Sequence, residues 1–242
     1  MAMSIIEVKE LTKIYKNGKK AVNSVSFTIS KGQVFGFLGP NGSGKSTLLS
    51  MLLSLVKPTS GSIKLFNSLD MEQSKSMIGA SLEVPGFLPF KTAEENLRLS
   101  ALIKESESEN LSILMEVLNV QDFGKLKFSQ YSLGMKQRLS ITSALIGKPE
   151  LVIFDEPTNG LDPAGIIEVR NLILRLRSEG KTIIIASHIL SEIEKICTHI
   201  AIISKGVIRS KGPIEEIYTE YGSLENAYMT NTTKQVLHEK SI

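Results

Sequence analysis

The chain has 242 residues, 42% hydrophobic and 22% charged, with 28 Lys and Arg against 25 Asp and Glu for a net charge of +3. This is ordinary globular composition with enough length to bury a sizeable core. The small net charge, without a long Lys/Arg run, argues against nucleic acid as a partner. The single cysteine, Cys197, excludes an internal disulfide and suits a reducing compartment. No apolar run approaches the roughly 20 residues needed to span a bilayer, and Met1 to Glu10 is short, mixed and partly acidic, unlike a secretory signal.

In chain order, Ile5–Val8, Val25–Ile29 and Val34–Leu38 read as strands, with Asn17-Gly18 and Lys31-Gly32 as turn residues. The basic patch Lys16 to Lys20 suits a solvated hairpin tip. Tyr15, just before it, suits either a ring half buried at a strand end or a platform for a nucleotide base. After the third strand comes Gly39-Pro40-Asn41-Gly42-Ser43-Gly44-Lys45-Ser46-Thr47, which fits the phosphate-loop pattern G-x-x-x-x-G-K-[ST]. Leu48–Leu53 then continues as a helix. A strand, a glycine turn and a helix start gather backbone N–H groups and a positive helix end around one anion. Lys45 would reach the β- and γ-phosphates, and the Ser46 hydroxyl would hold Mg²⁺.

Pro58 to Gly61 breaks that helix, and Ser62–Phe66 and Ile78–Leu82 read as strands, the second ending at Glu83 before a turn at Val84-Pro85-Gly86. From Phe87 to about Gln130 the pattern is helical. Thr92-Ala93-Glu94-Glu95 is a capping box, and Leu111, Leu114, Met115 and Leu118 share one helix face. Lys104–Asn110 is a polar loop or frayed end. Ser132 opens a helix to about Ile146, ended by Gly147-Lys148-Pro149. Leu151–Phe154 is a continuous apolar run, as expected of a strand covered on both faces, and it delivers Asp155-Glu156. Asp162-Pro163 caps the next helix. Thr182–Ala186 is a further buried strand, followed by Ser187-His188. Ile200–Ile203 and Gly206–Arg209 form a hairpin around Lys205-Gly206, Pro213 starts a short helix, and residues 230–242 read as a polar, mobile tail. No internal repeat is visible.

Ligands of α/β sheets lie beyond the carboxyl ends of the strands. The phosphate loop, Asp155-Glu156 and His188 all follow such ends and are expected to converge. Asp155 suits Mg²⁺ coordination and Glu156 suits a base for an attacking water. His188 suits either a structural hydrogen bond or a γ-phosphate contact.

Tyr131-Ser132-Leu133-Gly134-Met135-Lys136-Gln137-Arg138-Leu139 resembles the signature motif of ATP-binding cassette proteins. The order of motifs also matches that family: Tyr15, phosphate loop, glutamine-loop position, helical insert, signature, acidic pair, Gly160-Leu161-Asp162 and His188. The likeness covers Ile5 to Tyr218. It implies an α/β fold with a P-loop NTPase core: a mixed sheet with flanking helices, an antiparallel β part at the N-terminus and an inserted helical subdomain at about 87–147, all within a nucleotide-binding domain at 1–229. It implies ATP as substrate with Mg²⁺. Tyr15 would stack on adenine, Gly39 to Thr47 would bind the phosphates, Asp155 would serve the metal and Glu156 the water, and His188 would sense the γ-phosphate. Asp162 would sit at a subunit seam, where Ser132 and Gly134 close over ATP held by a second subunit, an identical copy in the simplest case.

Two departures from the pattern stand out. Leu133 and Met135 replace a glycine and a glutamine of the signature, and Glu83 stands where the family has glutamine. A carboxylate there could bind the metal, or repel phosphate unless the metal or a proton compensates. The segment Ile78 to Phe87 is similar to that of cassettes from bacitracin- and lantibiotic-type export and immunity systems. The expected function is therefore the ATPase subunit of a multi-chain exporter, at the cytoplasmic face of a bacterial membrane and bound to separate integral permease chains. The alternative is a soluble cassette acting on ribosomes or DNA. It is disfavoured by the single cassette, by an insert of only some forty residues and by the low net charge.

Overall fold

The computed structural model describes residues 3–66, 74–83, 86–106 and 110–232. In chain order these form β1 (Ser4–Ile14), β2 (Lys20–Ser30), β3 (Val34–Leu38), α1 (Lys45–Leu52), β4 (Ser60–Leu65), β5 (Ile78–Ser81), α2 (Ala93–Ile103), α3 (Leu111–Glu116), α4 (Leu133–Ala144), β6 (Leu151–Asp155), α5 (Pro163–Ser178), β7 (Thr182–Ser187), α6 (Leu190–Ile196), β8 (His199–Ser204), β9 (Val207–Pro213), α7 (Ile214–Tyr221) and α8 (Leu224–Thr232). Single 3-10 turns lie at Val120–Asp122 and Phe128–Gln130. The chain divides into two compact units, one of Met1–Ser74 with Ile184–Ile242 and one of Lys75–Ile183.

In the first unit β2, β1 and β4 form an antiparallel sheet in that order. Along β2, Val25, Phe27 and Ile29 are buried and alternate with Ser24, Ser26 and Thr28, the period-2 pattern of a half-covered strand. Ile6 faces Ile29 on one side and Leu65 on the other. β1 runs well past the expected end at Val8. Register shifts between Val8 and Leu11 carry it through the polar pair Lys9-Glu10 to Ile14, with Glu10 at φ 48°. A bulge of this kind breaks the alternation that marks a strand in sequence.

β3 is buried at all five positions and pairs in parallel with β8, while β8 and β9 form an antiparallel hairpin, so this sheet is mixed. The hairpin turn has Lys205 and Gly206 both at positive φ (49° and 77°), the twist that suits two-residue hairpins. Phe27, Phe35 and Phe37 pack together with ring centroids 5.1–6.0 Å apart. The expected tail begins later than residue 230, because Thr230–Thr232 complete α8; residues 233–242 lie outside the described residues.

In the second unit β5 and β6 pair in parallel, Ile78 with Leu151 through Ser81 with Phe154. Between them the described residues form only helices and turns. α2 opens with a complete capping box, the Thr92 side chain taking the Glu95 N–H and Glu95 taking the Thr92 N–H. The Lys91 ammonium, 2.7 Å away, and the Thr92 N–H hold the Glu95 carboxyl down at about 2. α4 is capped at Ser132 as expected and ends at Ala144, about two residues early. Of the expected turn at residues 84–86 only Gly86 is described, and of the polar loop at 104–110 residues 107–109 are not.

Phe37 is fully buried at the centre of the aromatic cluster, whereas Thr92 acts through one cap. Phe37→Ala is expected to cost about 3–5 kcal/mol of unfolding free energy, and Thr92→Ala about 1 kcal/mol. Urea titration of the two variants side by side measures the difference.

Candidate functional site

The segment after β3 is built as a cradle. Its glycine N-cap, Gly44, has φ +110°, and a β-carbon there would come within 2.4 Å of the Ala21 carbonyl oxygen, so only glycine fits. The loop is braced from outside as well: the Gly206 N–H donates to the Ser43 carbonyl at 2.8 Å, and the Asn23 N–H donates to the Gly206 carbonyl at 2.8 Å. α1 then starts at Lys45 with no side chain capping its first turn. The first amides of a helix have no acceptor within it, so this end presents donors and a positive dipole.

Lys45 is buried, and its Nζ donates to the carbonyls of Gly39 at 2.7 Å and Pro40 at 3.3 Å. The ammonium is thus folded into the curl of the loop. Ser43 Oγ is also buried and makes no hydrogen bond among the described residues, a costly arrangement for a hydroxyl unless a polar ligand is at hand. The cradle fits a phosphate chain.

Tyr15 follows β1 in the same unit and is 39% exposed. Its hydroxyl lies 3.4 Å from Thr47 Oγ1, which ties the ring to the first turn of α1. Lys13 Nζ sits 5.4 Å from the ring centroid and donates to the Lys57 carbonyl at 2.7 Å. The ring is therefore held from two sides and stays accessible, as a stacking platform requires. His188 lies just beyond the buried strand β7 and is exposed.

The second unit brings together the acidic residues and the signature. Since Ser81 pairs with Phe154, Glu83 and Asp155-Glu156 leave the same edge of the β5–β6 pair. Asp155 is buried at 2% exposure, Glu156 is half-buried and Glu83 is exposed. Glu156 has φ 49°, a conformation rare for a non-glycine residue. Its carbonyl accepts from the Asn159 N–H at 3.1 Å and from Gln137 Nε2 at 3.4 Å. Among the described residues no group of three or more His, Cys, Asp or Glu could hold a metal by itself. The Ser46 hydroxyl in the first unit and the Asp155 carboxylate in the second are each an oxygen donor of the kind a small hard cation takes.

The signature turn is anchored by aromatic packing. Tyr131 lies edge-on to Phe123 at 5.0 Å and against Phe128 at 5.6 Å, and burial pushes its phenol up from the ordinary value. Ser132 Oγ accepts the Met135 N–H at 3.2 Å, and the Ser132 N–H donates to Met135 Sδ at 3.4 Å. The thioether closes the capping box in place of the amide of the usual glutamine. Accepting in this way leaves the Ser132 hydroxyl proton available to donate. Asp162 caps α5 by accepting the Gly165 N–H at 2.9 Å.

Three residues close to these groups carry no role in the motif reading: Lys13 on the Tyr15 ring, Gln137 on the Glu156 carbonyl and Arg138 facing Asp162. The Gln137-Arg138 pair within the signature segment was the signal that could have pointed to the last two.

Comparison with known proteins agrees with this geometry. Residues 22–159 match the family model described as ABC transporter. The chain is 44% identical over 219 residues to the bacitracin transport ATP-binding protein BcrA of Bacillus licheniformis, covering 88% of this chain and 71% of that one. It is 40% identical to the lantibiotic transport ATP-binding protein SrtF of Streptococcus pyogenes, covering 98% and 99%. A solved ATP-binding cassette, a dimer in a post-hydrolysis state bound to ADP and Pi, superposes with a TM-score of 0.75 at 26% identity, covering 86% of this chain and 98% of that one. With its phosphate cradle, acidic strand end and signature helix in place, the chain belongs to the ABC transporter family, as an ATP-binding, ATP-hydrolysing cassette.

Proposed function

We propose that this chain is the ATPase subunit of a multi-chain exporter of peptide antibiotics of the bacitracin or lantibiotic class, working as a pair of identical copies docked on separate permease chains at the cytoplasmic face of the membrane. The observation that carries the reading is its 40–44% identity to bacitracin and lantibiotic transport ATP-binding proteins over most of its length. No helix among the described residues is long and apolar enough to cross a membrane. The relatives give no support to a role on ribosomes or DNA.

The residue roles follow. Tyr15 stacks on the adenine. Gly39, Asn41, Gly42, Ser43, Gly44 and Thr47 offer backbone and hydroxyl donors to the phosphates, Pro40, which has no N–H, shapes the loop around them, and Lys45 turns its charge toward the β- and γ-phosphates. Ser46 and Asp155 hold Mg²⁺, with Glu83 as a further oxygen on its edge. Bound with the nucleotide, Mg²⁺ neutralises charge on the phosphate oxygens. Glu156 orients the attacking water and draws a proton from it. Its strained φ supports this role, since sparsely populated backbone conformations gather at functional sites. His188 donates to the γ-phosphate. Ser132, Gly134 and Asp162 face a second copy, so that ATP joins two chains and hydrolysis releases them. Rate acceleration then comes from positioning and charge stabilisation, without a covalent intermediate.

Three measurements test this reading. Glu156→Gln keeps ATP binding, accumulates an ATP-bound pair and lowers kcat by a factor on the order of 10²–10⁴, the typical worth of a positioned base; steady-state turnover near that of the parent removes Glu156 from the water. Glu83→Gln shifts the Mg²⁺ midpoint of ATP hydrolysis several-fold, by about 3–10, as expected when a carboxylate oxygen near a hard cation becomes an amide; superimposable titrations return Glu83 to an exposed loop residue with no part in the site. Purification of the chain in mild detergent is expected to retain an integral membrane protein, and recovery with ribosomes or DNA instead would refute the exporter assignment.

A further inference from the structure

α4 does more than present the signature. From its first two turns it makes three attachments to the segment 156–168, which contains Glu156 and Asp162. Leu133, which replaces a glycine of the family pattern, lies on Gly160: a β-carbon on Gly160 would come within 2.5 Å of Leu133 Cγ and Cδ2, and Gly160 has φ +74°. Gln137, buried, donates to the Glu156 carbonyl at 3.4 Å. Arg138 makes the most contacts. Its Nη1 donates to the Leu118 carbonyl at 2.9 Å and pairs with the Glu168 carboxylate, and its Nη2 stands 4.0 Å from Asp162 Oδ1, the oxygen that caps α5. Asn119 Nδ2 steadies the other Glu168 oxygen at 3.2 Å.

The Arg138 side chain is only 16% exposed. It lines an open cavity of about 500 Å³ together with Ser132, Gly134, Gly160, Asp162 and Glu168. A planar guanidinium can serve a carbonyl and two carboxylates at once, which a single ammonium point charge cannot. The signature turn and the start of α5 are thereby fixed to each other inside one compact unit, which also contains Glu156.

We infer that Arg138, assisted by Leu133, is a positioning residue. It holds Ser132, Gly134 and Asp162 as one rigid surface for a second copy of this chain, and through α4 and Gln137 it ties that surface to Glu156 of its own chain. Arrival of the partner's nucleotide at the signature is then passed to the water-handling residue along α4 and these contacts. The inference rests on the proposed pairing of two copies. Leu133 completes the logic: a glycine at 133 would leave Gly160 uncovered, so the departure from the family pattern adds a contact between the two seam segments.

The test uses the full chain carrying Glu156→Gln, with ATP-driven pairing measured by sedimentation, and the parent chain for kinetics. Arg138→Leu is expected to weaken pairing at least tenfold and to lower kcat at least tenfold, with ATP binding by the unpaired chain changed less than twofold. Arg138→Lys restores only part of either loss. Leu133 is 56% exposed, so Leu133→Ala folds and keeps the test decisive where Arg138→Leu does not fold; it is expected to weaken pairing three- to fivefold. Pairing and kcat within twofold of the parent, for folded Arg138→Leu or otherwise for Leu133→Ala and Arg138→Lys together, overturn the inference while leaving the two-copy reading intact. Failure of the Glu156→Gln chain itself to pair with ATP overturns that reading and the inference with it.

Discussion

A helix that begins at Lys45 with glycine as its N-cap cannot satisfy its own first amides, and no side chain does so for it. The bracing of the 39–47 loop follows from that constraint. Ala21 and the Lys205-Gly206 turn press on it from outside, which limits Gly44 to glycine and keeps the loop curled. Lys45 has few places to put a buried charge, and the Gly39 and Pro40 carbonyls supply acceptors inside the curl. The loop backbone is fixed by these contacts within the chain itself. Only Lys45 has to leave its carbonyl acceptors and turn to a phosphate chain, while the backbone donors around it are already placed, the condition for electrostatic stabilisation to be effective.

The acidic side of the chemistry depends on strand register. Parallel pairing of β5 with β6 sets Ser81 against Phe154, and the chain therefore releases Glu83 and Asp155-Glu156 from the same edge. A slip of one residue would turn every side chain of the strand to the opposite face; the pairing of Ser81 Oγ with Ser140 Oγ at 2.7 Å opposes such a slip. Glu156 then leaves the strand at φ 49°, with its carbonyl held by Asn159 and Gln137. Strain at a single residue persists when its surroundings over-determine it, and two donors on one carbonyl are a modest form of that.

Most strands, the three capped helix starts and the phosphate loop were legible in the sequence because each is encoded locally: continuous apolar runs at 34–38 and 151–154, Thr92 with Glu95, Ser132 before its helix, Asp162 before Pro163. The second half of β1 was not, because a bulge at Lys9-Glu10 destroys the period-2 signal while the backbone goes on pairing with β2 and β4. Nor were the partners of the site residues. That Gln137 reaches the Glu156 carbonyl and that Arg138 gathers Leu118, Glu168 and Asp162 are consequences of packing between segments distant in sequence, and Lys13, two residues from Tyr15, is held over its ring by a bond to the distant Lys57 carbonyl. Sequence spacing shows which residue types are available, whereas a guanidinium's choice among several carboxylates is settled only in three dimensions.

The departures at 133 and 135 are best judged by what the lost residues would have done. A glutamine at 135 closes the capping box with an amide oxygen; Met135 Sδ occupies that role at 3.4 Å from the Ser132 N–H, a weaker acceptor in the same place. Ser132 Oγ keeps its own half of the box on the Met135 N–H. The orientation of the serine is thus preserved although the partner chemistry has changed. A glycine at 133 would leave the outer face of the turn open; Leu133 fills it and takes Gly160 as its support. Since Gly134 remains, the backbone next to Ser132 can still be approached closely, and the two substitutions alter how the signature turn is held more than what it presents.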